Sequence, residues 1–230
     1  MWAILSGIEG NLPAYEAVLK DISRQVVKVE DIYILGDVIG LSPDNEKVIE
    51  AITSPSGAIT PHVCRGWWEE QCLILHGLSS MADPLELIEE YGVDATKELW
   101  DCVPRSMVEW IRNLDFGFVE FDSLLIHGTS VTVNEALTPD TSPWLILDRL
   151  QRMNVNLIFS GRSSLLYEYE LQQGNITSTV VTLDDTAKDT TEVKQKKIIG
   201  VGNVGKNPHQ ASYVLYNPYN GQLKLQSIEY

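Results

Sequence analysis

The strongest constraint on the fold is a regular alternation of short apolar runs and amphipathic segments at the start of the chain. Three apolar runs have the length and composition of buried strands: Trp2–Leu5, Ile32–Leu35 and Ile59–Cys64. Between them, Leu12–Ile22 has helical spacing of its apolar residues, and Pro43–Ile52 is a predicted helix with Ser42 as its N-cap. Strand–helix–strand order predicts a parallel sheet covered by helices.

The middle of the chain continues this α/β pattern. Residues 69–114 are predicted to be mostly helical, with an apolar stripe that includes Trp100, which we expect to be buried. The acidic stretch Asp83–Asp101 is predicted to form a solvated helical face. Further elements follow as predicted strands Phe116–Phe121, Ser123–Ile126 and Asn156–Ser160, and a predicted helix Pro143–Met153.

In the last third of the chain, segments in which apolar and polar residues alternate predict β-strands. Leu165–Leu171 and Ile176–Leu183 flank a turn and predict a hairpin, and the polar stretch Asp184–Lys197 predicts a mobile loop. Two more strands are predicted at Ala211–Tyr216 and Gln222–Glu229. The whole order predicts a single α/β domain over 1–230: two packed, mixed β-sheets in a sandwich flanked by helices, with a mostly helical insertion at about 69–114.

The charge of the chain limits its partners. Its 230 residues include 32 acidic and 17 basic side chains, which gives a formal net charge of −15. Such a surface repels nucleic acid and anionic membranes, so we expect neither as a partner. The three cysteines lack metal-site spacing, and no signal peptide is evident, which favours a cytoplasmic protein with reduced thiols. The sequence gives no indication of an oligomeric state.

Polar and aromatic residues collect where the predicted strands end. The set is Gly7, Glu9, Asp37, Arg65, Trp67, Trp68, His127 and Arg162. Each residue alone has an ordinary structural explanation, such as Asp37 capping a turn. Together they predict one site, because ligands of open α/β sheets bind at the carboxyl ends of the strands.

The motifs at these strand ends resemble those of calcineurin-like metallophosphoesterases, in the small bacterial and archaeal phosphodiesterase-type branch. That family has Asp-x-His-Gly-Asn, Gly-Asp, Gly-Asn-His-Asp/Glu, His-Gly and Gly-His-x-His in this order. The segments here are Gly7-Ile8-Glu9-Gly10-Asn11, Gly36-Asp37, Arg65-Gly66-Trp67-Trp68-Glu69, His127-Gly128 and Gly161-Arg162-Ser163-Ser164. The agreement in order spans nearly the whole chain, and the resemblance implies that family's fold and a two-metal phosphoesterase site.

The same resemblance implies that most of the metal ligands have been replaced. Gly7 and Glu9 stand for an aspartate and a histidine, Trp67 and Trp68 for an asparagine and a histidine, and Arg162 and Ser164 for two histidines, whereas Asp37 and His127 are kept. Glycine and tryptophan offer no ligand atom, and arginine is a permanent cation. We therefore predict that these positions are vestigial, with no catalytic, cofactor-binding or metal-binding residue.

Three functions are considered. The first is a degenerate phosphoesterase, or pseudoenzyme, that acts as a binding or regulatory protein with a protein partner. The second is a weak phosphodiesterase or phosphatase that uses one divalent metal at Glu9, Asp37 and His127. The third is a sensor that binds a phosphate or nucleotide through Arg65, Arg162 and His127 without cleaving it.

Two expectations concern the interior of this site. Arg162 is predicted to point into the cleft and pair with Asp37 or Glu9, because an unpaired buried carboxylate is costly once metals are lost. At least one of Trp67 and Trp68 is predicted to line the cleft, where tryptophan is a good anchor for a protein partner.

Overall fold

The chain folds into two β-sheets and a set of helices around them. The computed structural model describes all residues except 56, 58, 80–82, 172–173, 182–185 and 194, with the backbone alone over 174–181 and 186–193. The strands are β1 Trp2–Leu5, β2 Asp31–Leu35, β3 His62–Cys64, β4 Gly117–Glu120, β5 Ser123–Ile126, β6 Leu157–Ser160, β7 Leu166–Leu171, β8 Gly174–Val181, β9 Thr186–Val193, β10 Lys196–Val201, β11 Gln210–Tyr216 and β12 Leu223–Glu229. The helices are α1 Leu12–Ser23, α2 Asn45–Thr53, α3 Trp67–Leu75, α4 Leu85–Tyr91, α5 Val93–Cys102, α6 Arg105–Arg112 and α7 Pro143–Met153.

Both large sheets are mixed. The first has the order β12-β11-β1-β2-β3, with β1, β2 and β3 parallel, β11 antiparallel to β1, and β12 antiparallel to β11. The second has the order β4-β5-β6-β10-β7, with β5, β6 and β10 parallel. Strands β8 and β9 pair with each other in a separate ribbon. The predicted α/β architecture of two mixed sheets flanked by helices is confirmed.

Three apolar layers hold the sheets and helices together. The inner faces of the two sheets meet in a cluster that includes Ile4, Leu35 and Phe159. The outer face of the first sheet packs against α1, α2, α3, α5 and α6, and the outer face of the second sheet packs against α7. The central strands are buried on both faces, which is why they are continuous apolar runs in the sequence.

The predicted hairpin and mobile loop in the last third are wrong. Strand β7 pairs with β10, and β8 pairs with β9, so the two strands around the predicted turn do not form a hairpin. Part of that turn, and several residues of the predicted loop, lie outside the described residues. Within the predicted loop, Thr186–Val193 is β9, and the last two loop residues are the start of β10 (Lys196–Val201), whose backbone hydrogen bonds join β6 to β7.

Helix and strand boundaries differ from prediction in two places. Helix α2 begins at Asn45 and not at Pro43, because the Ser42 hydroxyl donates to the carbonyl of Gly10 and accepts from the amide of Asp44. Strand β3 begins at His62, where pairing with Tyr33 of β2 starts.

Trp100 is not buried, which contradicts the prediction for the helical stripe. Its side chain is 51% exposed and its ring stacks on His76, with centroids 4.2 Å apart. The buried face of α5 consists of Ala95 and Leu99, so Trp100 falls just beyond it.

The single domain with an insertion stays a prediction, although α3–α6 do occupy residues 67–112. No helix in the described part of the chain is long and apolar enough to cross a membrane.

Candidate functional site

The loops after β1 and β2 interlock at the carboxyl edge of the first sheet. The amide of Gly7 donates to Gly36 O at 3.2 Å, and the amide of Glu9 donates to Asp37 O at 2.9 Å. Glu9 and Asp37 both have left-handed backbones, with φ of 51° and 52°. Such conformations in residues other than glycine are strained and cluster at functional sites. The loops after β1 and β2 together form the rim of the candidate site.

Glu69, near the start of α3, holds this rim in place through hydrogen bonds. Its buried carboxylate accepts four backbone hydrogen bonds at 2.8–3.0 Å, from the amides of Asp37, Val38, Ile39 and Gly66. No role was predicted for this residue. The signal was present, since a glutamate three residues after the helix N-cap commonly reaches back to the N-cap amide.

Asp37 and His127 lie together at the centre of the edge. Asp37 is 7% exposed and His127 is 0% exposed, and His127 Nε2 lies 3.4 Å from Asp37 Oδ2. The other carboxylate oxygen of Asp37 accepts the amide of Trp68 at 2.9 Å. His127 Nδ1 lies 2.7 Å from Leu35 O, which can only accept, so Nδ1 carries the proton.

His127 Nε2 consequently presents a lone pair to the carboxylate of Asp37. Burial lowers the pKa of His127, which keeps the ring neutral. Within the described part of the chain, Nε2 has no hydrogen-bond partner. A buried pair of acceptors facing each other is the arrangement that a cation would bridge, and it is the part of the site that best fits a metal.

Glu9 borders this pair. Burial, and secondly the nearby charge of Asp37, raise the pKa of Glu9 to about 7. Lys206 and Arg162 act in the opposite direction but do not compensate. Glu9 therefore carries a charge that the fold disfavours at neutral pH.

Glu9→Gln is expected to stabilise the protein at pH 8. The folded pKa of Glu9, about 7, lies above its ordinary value of 4.5, so its contribution to folding is fully present below pH 4.5 and is lost as the pH rises through 7. Glutamine mimics the protonated form, so the variant should gain about 1–3 kcal/mol at pH 8 and nothing near pH 4.5. Urea denaturation across this pH range measures the difference, with the exposed Glu109→Gln as control. Equal stability of Glu9→Gln and the wild type at pH 8 would contradict the expectation.

Trp67 and Trp68 fill the floor of the site. They are 1% and 3% exposed, and their rings meet edge to face with centroids 4.9 Å apart. Both rings also contact Tyr91 at the end of α4. Trp67 Nε1 donates to Glu86 of α4 at 3.0 Å. Both side chains are buried and contact Tyr91 of α4, so neither presents an exposed ring to a protein partner; the predicted role as a partner anchor stays a prediction.

Arg162 points into the site but does not pair with Asp37 or Glu9, which contradicts the prediction. Its guanidinium carbon lies 4.8 Å from the ring centroid of Trp67, in a cation–π contact. Its ion-pair partner is Glu90 of α4, at 3.5 Å. The acidic stretch that was predicted to be solvated thus supplies Glu86 and Glu90 as contacts that hold α4 over the site.

The remaining predicted positions have backbone roles or lie elsewhere. Gly7 has φ of 64°, and a Cβ atom there would lie 3.2 Å from the Cβ of Asn203. Ser164 also has a left-handed backbone, and its carbonyl accepts from the side chain of Asn203 at 3.2 Å. Arg65 does not join the set, because its guanidinium pairs with Glu70 and donates to the carbonyl of Arg112.

The residues present do not fit the two-metal centre that the family resemblance implies. Among the described residues, no group of three or more His, Cys, Asp or Glu side chains lies close enough together to hold a metal ion. Asp37 and His127 form a pair of possible ligands, but the three-ligand set with Glu9 is not assembled. Arg162 and the two tryptophans occupy the surrounding volume with groups that donate no electron pair to a metal.

Comparisons with known proteins place this geometry in a fold class. No model of a known protein family matches the chain. An uncharacterized protein from Methanocaldococcus jannaschii is 24% identical over 245 residues, which cover all of this chain and 88% of that protein. The crystal structure of a hypothetical protein from Pyrococcus horikoshii superposes with a TM-score of 0.72 and 20% identity, over all of this chain and 89% of that one.

The chain is also similar in structure to a metallophosphoesterase from Sphaerobacter thermophilus. Its crystal structure superposes with a TM-score of 0.69 and 19% identity, over all of this chain and 88% of that one. The chain therefore has a metallophosphoesterase-like fold, which the order of its strand-end motifs had indicated. At this identity the likeness concerns the fold, and function has to be argued from the site.

Proposed function

We propose that the protein is a catalytically degenerate metallophosphoesterase homologue that acts by binding and not by turnover. The observation that carries this proposal is the closure of the inherited site by the protein's own side chains. Trp67 and Trp68 fill its floor, and Arg162 lies on Trp67 and pairs with Glu90. A phosphoester would need this volume, and a two-metal clamp would need ligands that these residues do not provide.

The closure depends on contacts from one short helix. Helix α4 contributes the carboxylate of Glu86 to Trp67, the carboxylate of Glu90 to Arg162, and the ring of Tyr91 to both tryptophans. Glu86 also accepts from the side chain of Asn134, which follows β5 in the chain. The cover over the site is thus tied to both sheets.

A single-metal hydrolase is the second candidate, favoured by the unpartnered Nε2 of His127 that faces Asp37. A phosphate or nucleotide sensor has less support. Arg65 is engaged by Glu70 and Arg162 by Glu90, while the carboxylates of Glu9 and Asp37 would repel an anion.

Purified protein is expected to contain well below one equivalent of manganese, iron, zinc or nickel. Its hydrolysis of bis(p-nitrophenyl) phosphate with added manganese should equal the rate without protein, since two of the family's ligands cannot form a two-metal clamp. Elemental analysis and a colorimetric assay measure these quantities, with Asp37→Asn as the matched variant. Two bound metals, or turnover that Asp37→Asn abolishes, would overturn the proposal in favour of a hydrolase.

A thermal-shift assay in chelator tests the sensor. A ligand that binds only the folded state raises the melting temperature. Mono- and dinucleotides or inorganic phosphate at millimolar concentration should leave the melting temperature unchanged, since we expect none of them to bind. A saturable shift that Arg162→Met removes would favour the sensor instead.

The binding function needs an accessible surface, and the described residues offer exposed aromatic side chains for it. Phe121 and Tyr219 are 67% and 77% exposed, and their ring centroids lie 5.7 Å apart, so they form one aromatic surface at the turns that follow β4 and β11. Aromatic residues of this kind are enriched at the energetic centres of protein interfaces. We propose a protein partner for this surface and a cytoplasmic location, with an excess of acidic side chains that excludes nucleic acid and anionic membranes.

A further inference from the structure

A second cavity lies far from the strand ends that form the candidate site. It has a volume of about 660 Å³ and is bordered by α1, by α2 and by the segments that lead into β2 and β3. Leu19 and Ile22 on the last turns of α1 and Ile32 at the start of β2 are among its lining residues. These positions are at the amino edge of the parallel strands, opposite to Asp37 and His127. Ligand pockets usually measure about 300–1,000 Å³.

The wall of this cavity is apolar. Ile22, Val29 and Ile32 are buried in the core and also border the cavity, together with Leu19 and Ile59. At its mouth, Val26 is fully exposed. Apolar surface that remains in contact with water is favourably covered by an apolar ligand.

The rim has a charge opposite to that of the protein as a whole. Lys20 and Lys28 border the cavity, and Glu16 is the single acidic residue among its described lining residues. Neither lysine forms an ion pair with another described residue. Lys28 does act electrostatically on Glu30, but in a chain of net charge −15 a rim with two lysines and one glutamate beside an apolar cavity still favours a ligand with an anionic group.

Tyr15 adds a hydrogen-bonding group to the wall. Its side chain is 0% exposed and borders the cavity, and no other described residue forms a hydrogen bond with its hydroxyl. Burial raises the pKa of Tyr15 to about 12, so the hydroxyl stays a neutral donor. Buried tyrosine hydroxyls usually have a partner, and an oxygen atom of a ligand would supply it.

We propose that this cavity binds an amphipathic carboxylate of the fatty-acid class. The apolar chain of the ligand lies against Leu19, Ile22 and Val29, and its carboxylate is met by Lys20 and Lys28. This activity is separate from the proposed function at the strand-end site, since it involves neither metal nor phosphate and uses the opposite edge of the sheet.

Isothermal titration with dodecanoate below its micelle concentration tests the proposal. Wild-type protein should bind one equivalent saturably, and dodecanol, which lacks the charge, should bind about tenfold more weakly. The double variant Lys20→Ala/Lys28→Ala should lose about tenfold in affinity for dodecanoate while its affinity for dodecanol is unchanged. Lys224→Ala, a lysine on the exposed face of β12, is the control and should bind as the wild type does.

A second variant tests the location. Ala51 of α2 borders the cavity, so Ala51→Phe should fill part of it and abolish binding, while circular dichroism confirms that the variant is folded. Absence of saturable dodecanoate binding to the wild type would overturn the proposal. Binding that neither the lysine variant nor Ala51→Phe weakens would also overturn it, because the ligand would then lie elsewhere.

Discussion

Trp67→Asn, which introduces the ligand type that the resembling phosphoesterases have at this position, is expected to destabilise the protein by about 3–5 kcal/mol and to leave hydrolysis at background. The indole is 1% exposed, meets Trp68 edge to face and lies under the guanidinium of Arg162. Removing a buried tryptophan leaves a large cavity, and the shorter amide would not reach Glu86. Chemical denaturation measures the loss of stability, and a phosphodiester assay with manganese measures activity.

Trp100→Asn is the matched control, since Trp100 is on a neighbouring helix but is half exposed. It should cost less than about 1.5 kcal/mol, the contribution of its stacking on His76. Similar losses for the two variants would mean that Trp67 does not fill the candidate site. Manganese-dependent turnover in Trp67→Asn would show that a single replaced ligand accounts for the missing activity, against the closed-site proposal.

The central strands of both sheets could be predicted from the sequence because they are buried on both faces. The runs Trp2–Leu5 and 124–126 are wholly apolar, so their pattern needs no long-range information. Strand β10 was missed because two lysines open it, although Ile198 and Ile199 that follow are core residues. The two polar residues at the start of β10 extended the polar loop pattern, so the short apolar run behind them was not recognised as a strand.

The strand-end motifs also pointed to several residues that lie near one another, although Arg65 of the same set lies elsewhere. Asp37, His127, Glu9, Trp67 and Arg162 do lie at one edge of the sheet. Their partners could not be predicted, since Glu86, Glu90 and Tyr91 belong to a helix that looks solvated by its own composition. Helical periodicity assigns a face to a residue, but it does not show which distant surface that face meets.

Glu69→Ala is the second substitution with a large expected effect, a loss of about 3–5 kcal/mol in the free energy of unfolding. The buried carboxylate accepts from the amides of Gly66, Asp37, Val38 and Ile39. Alanine leaves these donors without their acceptor, and each unsatisfied buried group costs about 1–3 kcal/mol before the loop relaxes. Chemical denaturation measures the loss, and the exposed Glu109→Ala on α6 should change stability by less than about 0.5 kcal/mol.

Amide hydrogen exchange separates this anchoring role from a general loss of packing. In Glu69→Gln the side chain keeps its size and one acceptor oxygen, but its amide group cannot accept from the donors that faced the second oxygen. Protection should therefore fall at two or more of the four amides that bond Glu69, while the amides of β5 and β6 keep theirs. The rim that holds Asp37 opposite His127 would loosen in the same variant, because Asp37 and Gly66 are fixed to each other through Oε2 of Glu69. Uniform loss of protection across both sheets would instead show that Glu69 supports the core as a whole and not the rim.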